Sequence, residues 1–136
     1  MSFRVCSLDH LVLTVRSIPA AIEFYTRHLG MTAEIFSSPS DPTVQRHALL
    51  FGPHKINLHQ VGREFEPKAQ RPEPGSADLC LLTDTPLQQA REQVLAGGIE
   101  VLEEGKILDR TGARGRLKSF YIRDPDGNLI EIANYV

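Results

Sequence analysis

The chain has 136 residues, 41% of them hydrophobic and 24% charged, with a net charge of −2. That length supports one domain with a real core, and the charge excludes a basic footprint for nucleic acid. No apolar run approaches the ~18 residues that a membrane-spanning helix needs, and the opening MSFRVCSLDH has no apolar stretch followed by a cleavage site. A cytoplasmic protein without nucleic-acid or membrane partners is therefore expected. Cys6 and Cys80 are too few for a disulfide framework and are expected as free thiols, Cys80 as a small core residue inside an apolar run.

Leu8 to Val15 alternates and is rich in β-branched residues, so a strand is predicted, with Leu11, Leu13 and Val15 on one face and His10, Val12 and Thr14 on the other. Ser17 is a candidate N-cap, with Pro19 in the first turn. A helix then runs to about His28, with Ile18, Ile22, Tyr25 and Leu29 at helical spacing and Gly30 as its stop. Met31 to Ser38 reads as a strand, 37–42 as a loop, Gln45 to Phe51 and Lys55 to Val61 as two more strands around Gly52-Pro53. The stretch 62–75 is charged, contains Pro and Gly, and is predicted as a linker.

The pattern then repeats. Asp78 to Thr83 is a predicted strand, Thr85 a candidate cap, and Pro86 opens a helix with Leu87, Ala90, Val94 and Leu95 on its apolar side. Gly97-Gly98 closes it, Ile99 to Glu104 reads as a strand, and 106–115 as a polar loop. Asp124-Pro125-Asp126-Gly127 is a tight-turn sequence between two alternating runs, which makes a final hairpin. His10 precedes Gly30, and Asp78 precedes Gly98, by the same interval, so an internal repeat is expected. The predicted fold class is α+β: two βαβββ modules, 5–61 and 76–136, in a single domain, with curved mixed sheets forming a cleft.

One helix per four strands covers one face of each sheet. The opposite face would collect His10, Thr14, Lys55, Asn57, His59, Asp78, Ser119, Tyr121, Arg123 and Glu131. Glu131 stands in mid-strand, where a carboxylate is costly to bury unless it is paired, bound to a metal or facing a wet cavity. A polar face of this kind suits a small-molecule cavity better than a core.

The segments LDHLVLTV (8–15), FYTRHLGM (24–31) and FYIRDPDGNLIEI (120–132) resemble the vicinal oxygen chelate superfamily, which includes glyoxalase I, fosfomycin and bleomycin resistance proteins and extradiol dioxygenases. KINLHQ (55–60) and PGSADLCL (74–81) are most similar to small glyoxalase domain-containing proteins. The resemblance implies paired modules around a divalent metal held by first-strand and last-strand residues, and those positions fall on His10, Asn57, Asp78 and Glu131. His10 and Glu131 match the family's ligand types; Asn57 and Asp78 depart from the glyoxalase I pattern. His59 is an alternative third ligand to Asp78, and the expected metal set is His10, His59 and Glu131, with Ni, Zn, Mn or Fe left open. Glu131 is also the expected catalytic base. Asn57, Asp78, Tyr121 and Arg123 are expected to contact substrate. The resemblance thus implies a homodimeric, metal-dependent lyase or isomerase, with ring-cleaving dioxygenation or thiol transfer as related chemistries, acting on a small substrate with adjacent oxygens. A metal-free binding or resistance protein is the alternative.

Overall fold

Apolar alternation at Leu11, Leu13 and Val15 produces the first strand, β1 (Leu11–Val15), with Leu13 and Val15 buried. Ser17 then caps helix α1 (Ile18–Leu29), its hydroxyl accepting the Ala20 amide at 3.2 Å, and Gly30 ends the helix at φ 69°, a left-handed conformation that glycine adopts at little cost. Three strands follow: β2 (Thr32–Ser38), β3 (Asp41–Phe51) and β4 (His54–Gln60). They pair in the order β1-β4-β3-β2, with β1 parallel to β4 and the other pairs antiparallel.

The computed structural model describes residues 2–136, and these divide into two compact units, the first ending at Glu73 and the second starting at Pro74. The second unit repeats the plan with β5 (Asp78–Leu82), α2 (Leu87–Ala96), β6 (Leu108–Gly112), β7 (Gly115–Arg123) and β8 (Leu129–Tyr135). Its sheet runs β5-β8-β7-β6, with β5 parallel to β8. Each unit is therefore a βαβββ module with a mixed, curved four-stranded sheet, as the sequence implies. No helix among the described residues is long and apolar enough to cross a membrane.

Each sheet packs a hydrophobic face on its helix. In the first unit Leu13, Leu49, Ile56 and Leu58 are buried together with Ala21, Phe24 and Tyr25 of α1. In the second, Phe120, Ile122, Ile130 and Ile132 are buried, as are Leu87 and Val94 of α2. Each fully buried side chain of this size stabilises the fold by roughly 1.5–3 kcal/mol.

Several sequence expectations shift. The buried stripe of α1 is Ala21-Phe24-Tyr25, while Ile18, Ile22 and Leu29 are half-buried. Residues 41–44 lie in β3 rather than in a loop, because Ser38 and Asp41 pair across a two-residue turn. Ile99 to Glu104 is not a strand: after the Leu102 amide donates to Tyr121 O, Glu103 and Glu104 take φ of 55° and 58°, which ends any extended run. The edge strand forms later, inside the predicted polar loop, as β6. Thr85 does not cap α2; the Asn134 carboxamide does, accepting the Leu87 amide at 2.9 Å and donating to the Thr83 and Thr85 carbonyls. Leu95 is exposed rather than packed. Cys80 is exposed on the sheet face and not in the core.

The Asp-Pro-Asp-Gly turn is anchored from within. Asp124 is buried, and its carboxylate accepts the Asp126 and Asn128 amides, both at 2.9 Å, and the Asn128 carboxamide at 2.7 Å. Asn128 is fully buried and accepts the Ala77 amide at 2.9 Å, tying the turn to the start of β5. A side chain at Gly75 would place its Cβ 2.5 Å from Asp126 O, so only glycine allows this approach. Asn128→Ala leaves buried groups of the turn unpaired and is expected to lower stability by about 2–4 kcal/mol. Urea unfolding followed by circular dichroism measures this; a loss below about 0.5 kcal/mol would show that the network is dispensable.

Candidate functional site

The exposed face of the second sheet is built around Glu131. Tyr121 lies directly across from it on β7 and Cys80 beside it on β5. Ser119, fully buried, donates its hydroxyl to Glu131 Oε2 at 2.5 Å. This charge-assisted bond satisfies part of a half-buried carboxylate and fixes its orientation. Burial and the Glu131 charge push the Tyr121 phenol above its ordinary value, against the lowering effect of a hydrogen bond from Arg110, so Tyr121 stays protonated near neutrality. Partial desolvation of the sulfur and the same carboxylate push the Cys80 thiol up to about 11, which makes it a poor nucleophile.

Around this group lies a cleft of about 280 Å³ lined by Asp78, Leu102, Glu103, Arg110, Tyr121, Arg123, Leu129 and Glu131. Of the sequence-expected site residues, Asp78, Tyr121, Arg123 and Glu131 are brought together here. Arg110 and Glu103 were missed. Arg110 lies on β6, whose alternation is masked by nearby glycines and charges, and Glu103 sits in the turn that replaced the predicted strand.

The first unit carries His10, Asn57 and His59. Leu11 pairs with Ile56 and Leu79 with Ile130, so the two units share one register. His10 then corresponds to Asp78, Asn57 to Glu131, and His59 to Ala133. In each unit the first-strand and last-strand residues are diagonal neighbours, about 8 Å apart by strand spacing and rise, whereas His10 and His59 are about 14 Å apart. His10 Nδ1 is 2.8 Å from Asp9 Oδ1. A carboxylate only accepts, so Nδ1 carries a proton, and in the neutral ring that leaves the lone pair on Nε2. Asn57 is 7% exposed, and its Oδ1 has no hydrogen-bond partner among the described residues. His59, 4% exposed, is committed differently: Arg46 Nη2 lies 3.2 Å from its Nε2, and a guanidinium only donates. Phe65, from the stretch predicted as a linker, packs edge-on against the His59 ring and lies beneath the Arg46 guanidinium at 4.6 Å.

Among the described residues no three His, Cys, Asp or Glu side chains gather closely enough to hold a metal ion as placed. Single donors are nonetheless suited to one. In the second unit the carboxylates of Asp78 and Glu131 offer oxygen donors, and in the first unit His10 and the unpartnered Asn57 Oδ1 stand at the corresponding places. His59 Nε2 is not such a donor, since a cation already faces it.

Residues 7–132 match the model of the Glyoxalase/Bleomycin resistance protein/Dioxygenase superfamily. The chain belongs to that superfamily. It is 54% identical over 129 residues to the Virulence protein STM3117 of Salmonella typhimurium, covering 95% of this chain and 84% of that protein. The crystal structure of that protein superposes with a TM-score of 0.90 at 51% identity, over 98% of this chain and 100% of the other. The Glyoxalase domain-containing protein RDO1 of Mycosarcoma maydis is 49% identical over 131 residues, covering 96% of this chain and 69% of that protein. An integron cassette protein, VCH_CASS1, from the mobile metagenome of V. Cholerae, aligns over the full length of both chains with a TM-score of 0.90 and 50% identity.

The His59 environment has a consequence for this glyoxalase-superfamily chain. Burial first, then the Arg46 charge, hold its imidazole below the ordinary histidine value, with Glu64 opposing. In the unfolded chain this imidazole takes up a proton near pH ~6.5; in the folded chain it does so only at lower pH. Above that range the group does not affect stability, and as pH falls through it the unfolded state binds the extra proton and the fold is weakened. His59→Gln, which keeps an acceptor for Arg46, should show a smaller drop in Tm between about pH 7.5 and 5.5 than the parent. An unchanged drop would place the acid sensitivity elsewhere.

Proposed function

We propose that this superfamily member is a metal-dependent, glyoxalase-like enzyme acting on a small substrate with adjacent oxygens, with lyase or isomerase chemistry centred on Glu131. The observation that carries the reading is Glu131 itself, a mid-strand carboxylate oriented by Ser119 on the wall of a cleft that also presents Asp78, Tyr121 and Arg123. Glu131 and Asp78 of the second unit are the proposed ligands, diagonal neighbours on β8 and β5. Asp78 is preferred to His59 because the His59 lone pair already holds Arg46. A pair of carboxylates favours Mn²⁺ or Fe²⁺ over Zn²⁺ or Ni²⁺.

A divalent ion held there would supply Lewis-acid polarisation of the substrate's oxygens. The remaining work falls to the chain. Glu131, when not engaged as a ligand, accepts a proton from the substrate carbon and returns it at the neighbouring position, which is the net change of an isomerase. Ser119 keeps one carboxylate oxygen fixed while the other carries the proton. Tyr121, held protonated, donates a hydrogen bond to a developing oxyanion, and Arg123 orients the substrate.

Electron paramagnetic resonance of Mn²⁺ added to the full-length chain tests the ligand set. Glu131→Gln and Asp78→Asn should each weaken binding by about tenfold or more, while His59→Ala retains it. Parental affinity in Glu131→Gln, or loss confined to His59→Ala, would overturn the assignment.

We also propose a homodimer in a reducing, cytoplasmic compartment. Phe3, Val5 and Leu8 are 87%, 83% and 73% exposed, an apolar set that a second copy could cover, and both cysteines are exposed and unpaired. Multi-angle light scattering at micromolar concentration should give twice the chain mass; a monomer would exclude the pairing.

A further inference from the structure

We infer that the substrate of the Glu131 cleft is an anion, a small 2-hydroxy or 2-oxo carboxylate, and that Arg110 is the residue that selects it. The inference rests on reading this cleft as the substrate site. Its lining holds two guanidinium groups, Arg110 and Arg123, and three carboxylates, Asp78, Glu103 and Glu131. In so small a space these opposite charges would ordinarily pair. Neither arginine comes close enough to a carboxylate of the described residues to form an ion pair, although the Glu131 and Glu103 charges attract Arg110. Arg110 donates Nε to Tyr121 Oη and Nη1 to Asp109 O, both at 2.8 Å, with its guanidinium over the Tyr121 ring. Arg123 donates Nη1 to Gly127 O at 3.1 Å. Each group is thus held in place by neutral oxygens, and each keeps N–H donors uncommitted.

This makes the cleft bipolar. Asp78 and Glu131, diagonal neighbours on β5 and β8, form an acidic side suited to a cation. Arg110 and Arg123 form a side suited to a carboxylate, which guanidinium donors match in shape and charge. Counted formally, the lining is one charge negative. A divalent cation would reverse it to one positive, and a monoanionic substrate then brings the filled cleft to neutrality. A neutral diol or hydroxyketone would leave the remaining guanidinium donors of both arginines without an anion. Arg110 has a second effect: its bond to the Tyr121 oxygen directs the phenolic proton away from the guanidinium and into the cleft. Selection of the anion and presentation of the Tyr121 proton are therefore linked through one residue.

The test is a pair of probes that share adjacent oxygens and differ in charge, glycolate and ethylene glycol. Each is titrated into the full-length chain with saturating Mg²⁺ as a diamagnetic ion, and amide resonances of β6, β7 and β8 are followed by nuclear magnetic resonance. Glycolate should bind about tenfold or more tightly than ethylene glycol. Arg110→Gln should reduce glycolate affinity by a similar factor and leave ethylene glycol unchanged, and Arg110→Lys should restore part of it. Equal binding of the two probes, binding of neither, or an Arg110→Gln effect on both alike would overturn the inference. The metal-centred reading fails separately, through unchanged Mn²⁺ affinity in Glu131→Gln. Circular dichroism of Arg110→Gln, an exposed position, checks that the fold persists.

Discussion

Each unit depends on its first strand pairing in parallel with its last. Parallel neighbours need a crossover connection, and here α1 and the β2–β3 ribbon in one unit, α2 and the β6–β7 ribbon in the other, supply it. The pairing closes the hydrophobic face over the helix through Leu13 against Leu58 and Leu81 against Ile132. It also sets, on the opposite face, a first-strand side chain diagonal to a last-strand one. Because side chains alternate with period two, a slip of one residue would bury Glu131 and expose Ile130 or Ile132. Core burial thereby fixes the place of the polar residues. The Asp124–Asn128 network reinforces this register where it begins, since Asn128 holds the Ala77 amide just before β5.

The same frame carries different chemistry in the two units. In the second, the diagonal holds two carboxylates, with Ser119 and Tyr121 beside them. In the first it holds His10 and Asn57, and one step further along β4 lies the Arg46–His59–Phe65 cluster. That cluster behaves as a lock rather than an open site: a cation between aromatic rings, bonded to a neutral imidazole. A buried imidazole that accepts from a guanidinium has reason to remain neutral, and this is why His59, attractive as a ligand by residue type alone, ranks below Asp78.

Much of the architecture was legible in the sequence because each signal was local. Ser17 and Gly30 mark both ends of α1, strand alternation marks β1, β4 and β8, and the matched spacing from His10 to Gly30 and from Asp78 to Gly98 reveals the repeat. What failed was non-local. The Ile99 to Glu104 run alternates convincingly, yet two consecutive left-handed residues end it, and β6 forms instead in a stretch that looks polar because its outward residues are charged. Asn134 replaces Thr85 as the cap of α2 from nearly fifty residues away. In the site, Glu131, Tyr121, Arg123 and Asp78 followed from alternation. Arg110 could not, since its strand was not recognised, and the engagement of His59 by Arg46 is visible only once β3 and β4 are in register.

In the proposed site Glu131 and Asp78, and not His59, draw a divalent ion to this chain. Paramagnetic broadening of backbone amide resonances by substoichiometric Mn²⁺ tests it most directly, because the effect falls steeply with distance from the ion. Broadening should centre on Asp78, Ser119 and Glu131 and spare the amides of Arg46 and His59. Broadening strongest around His59, or spread evenly over surface carboxylates, would contradict it.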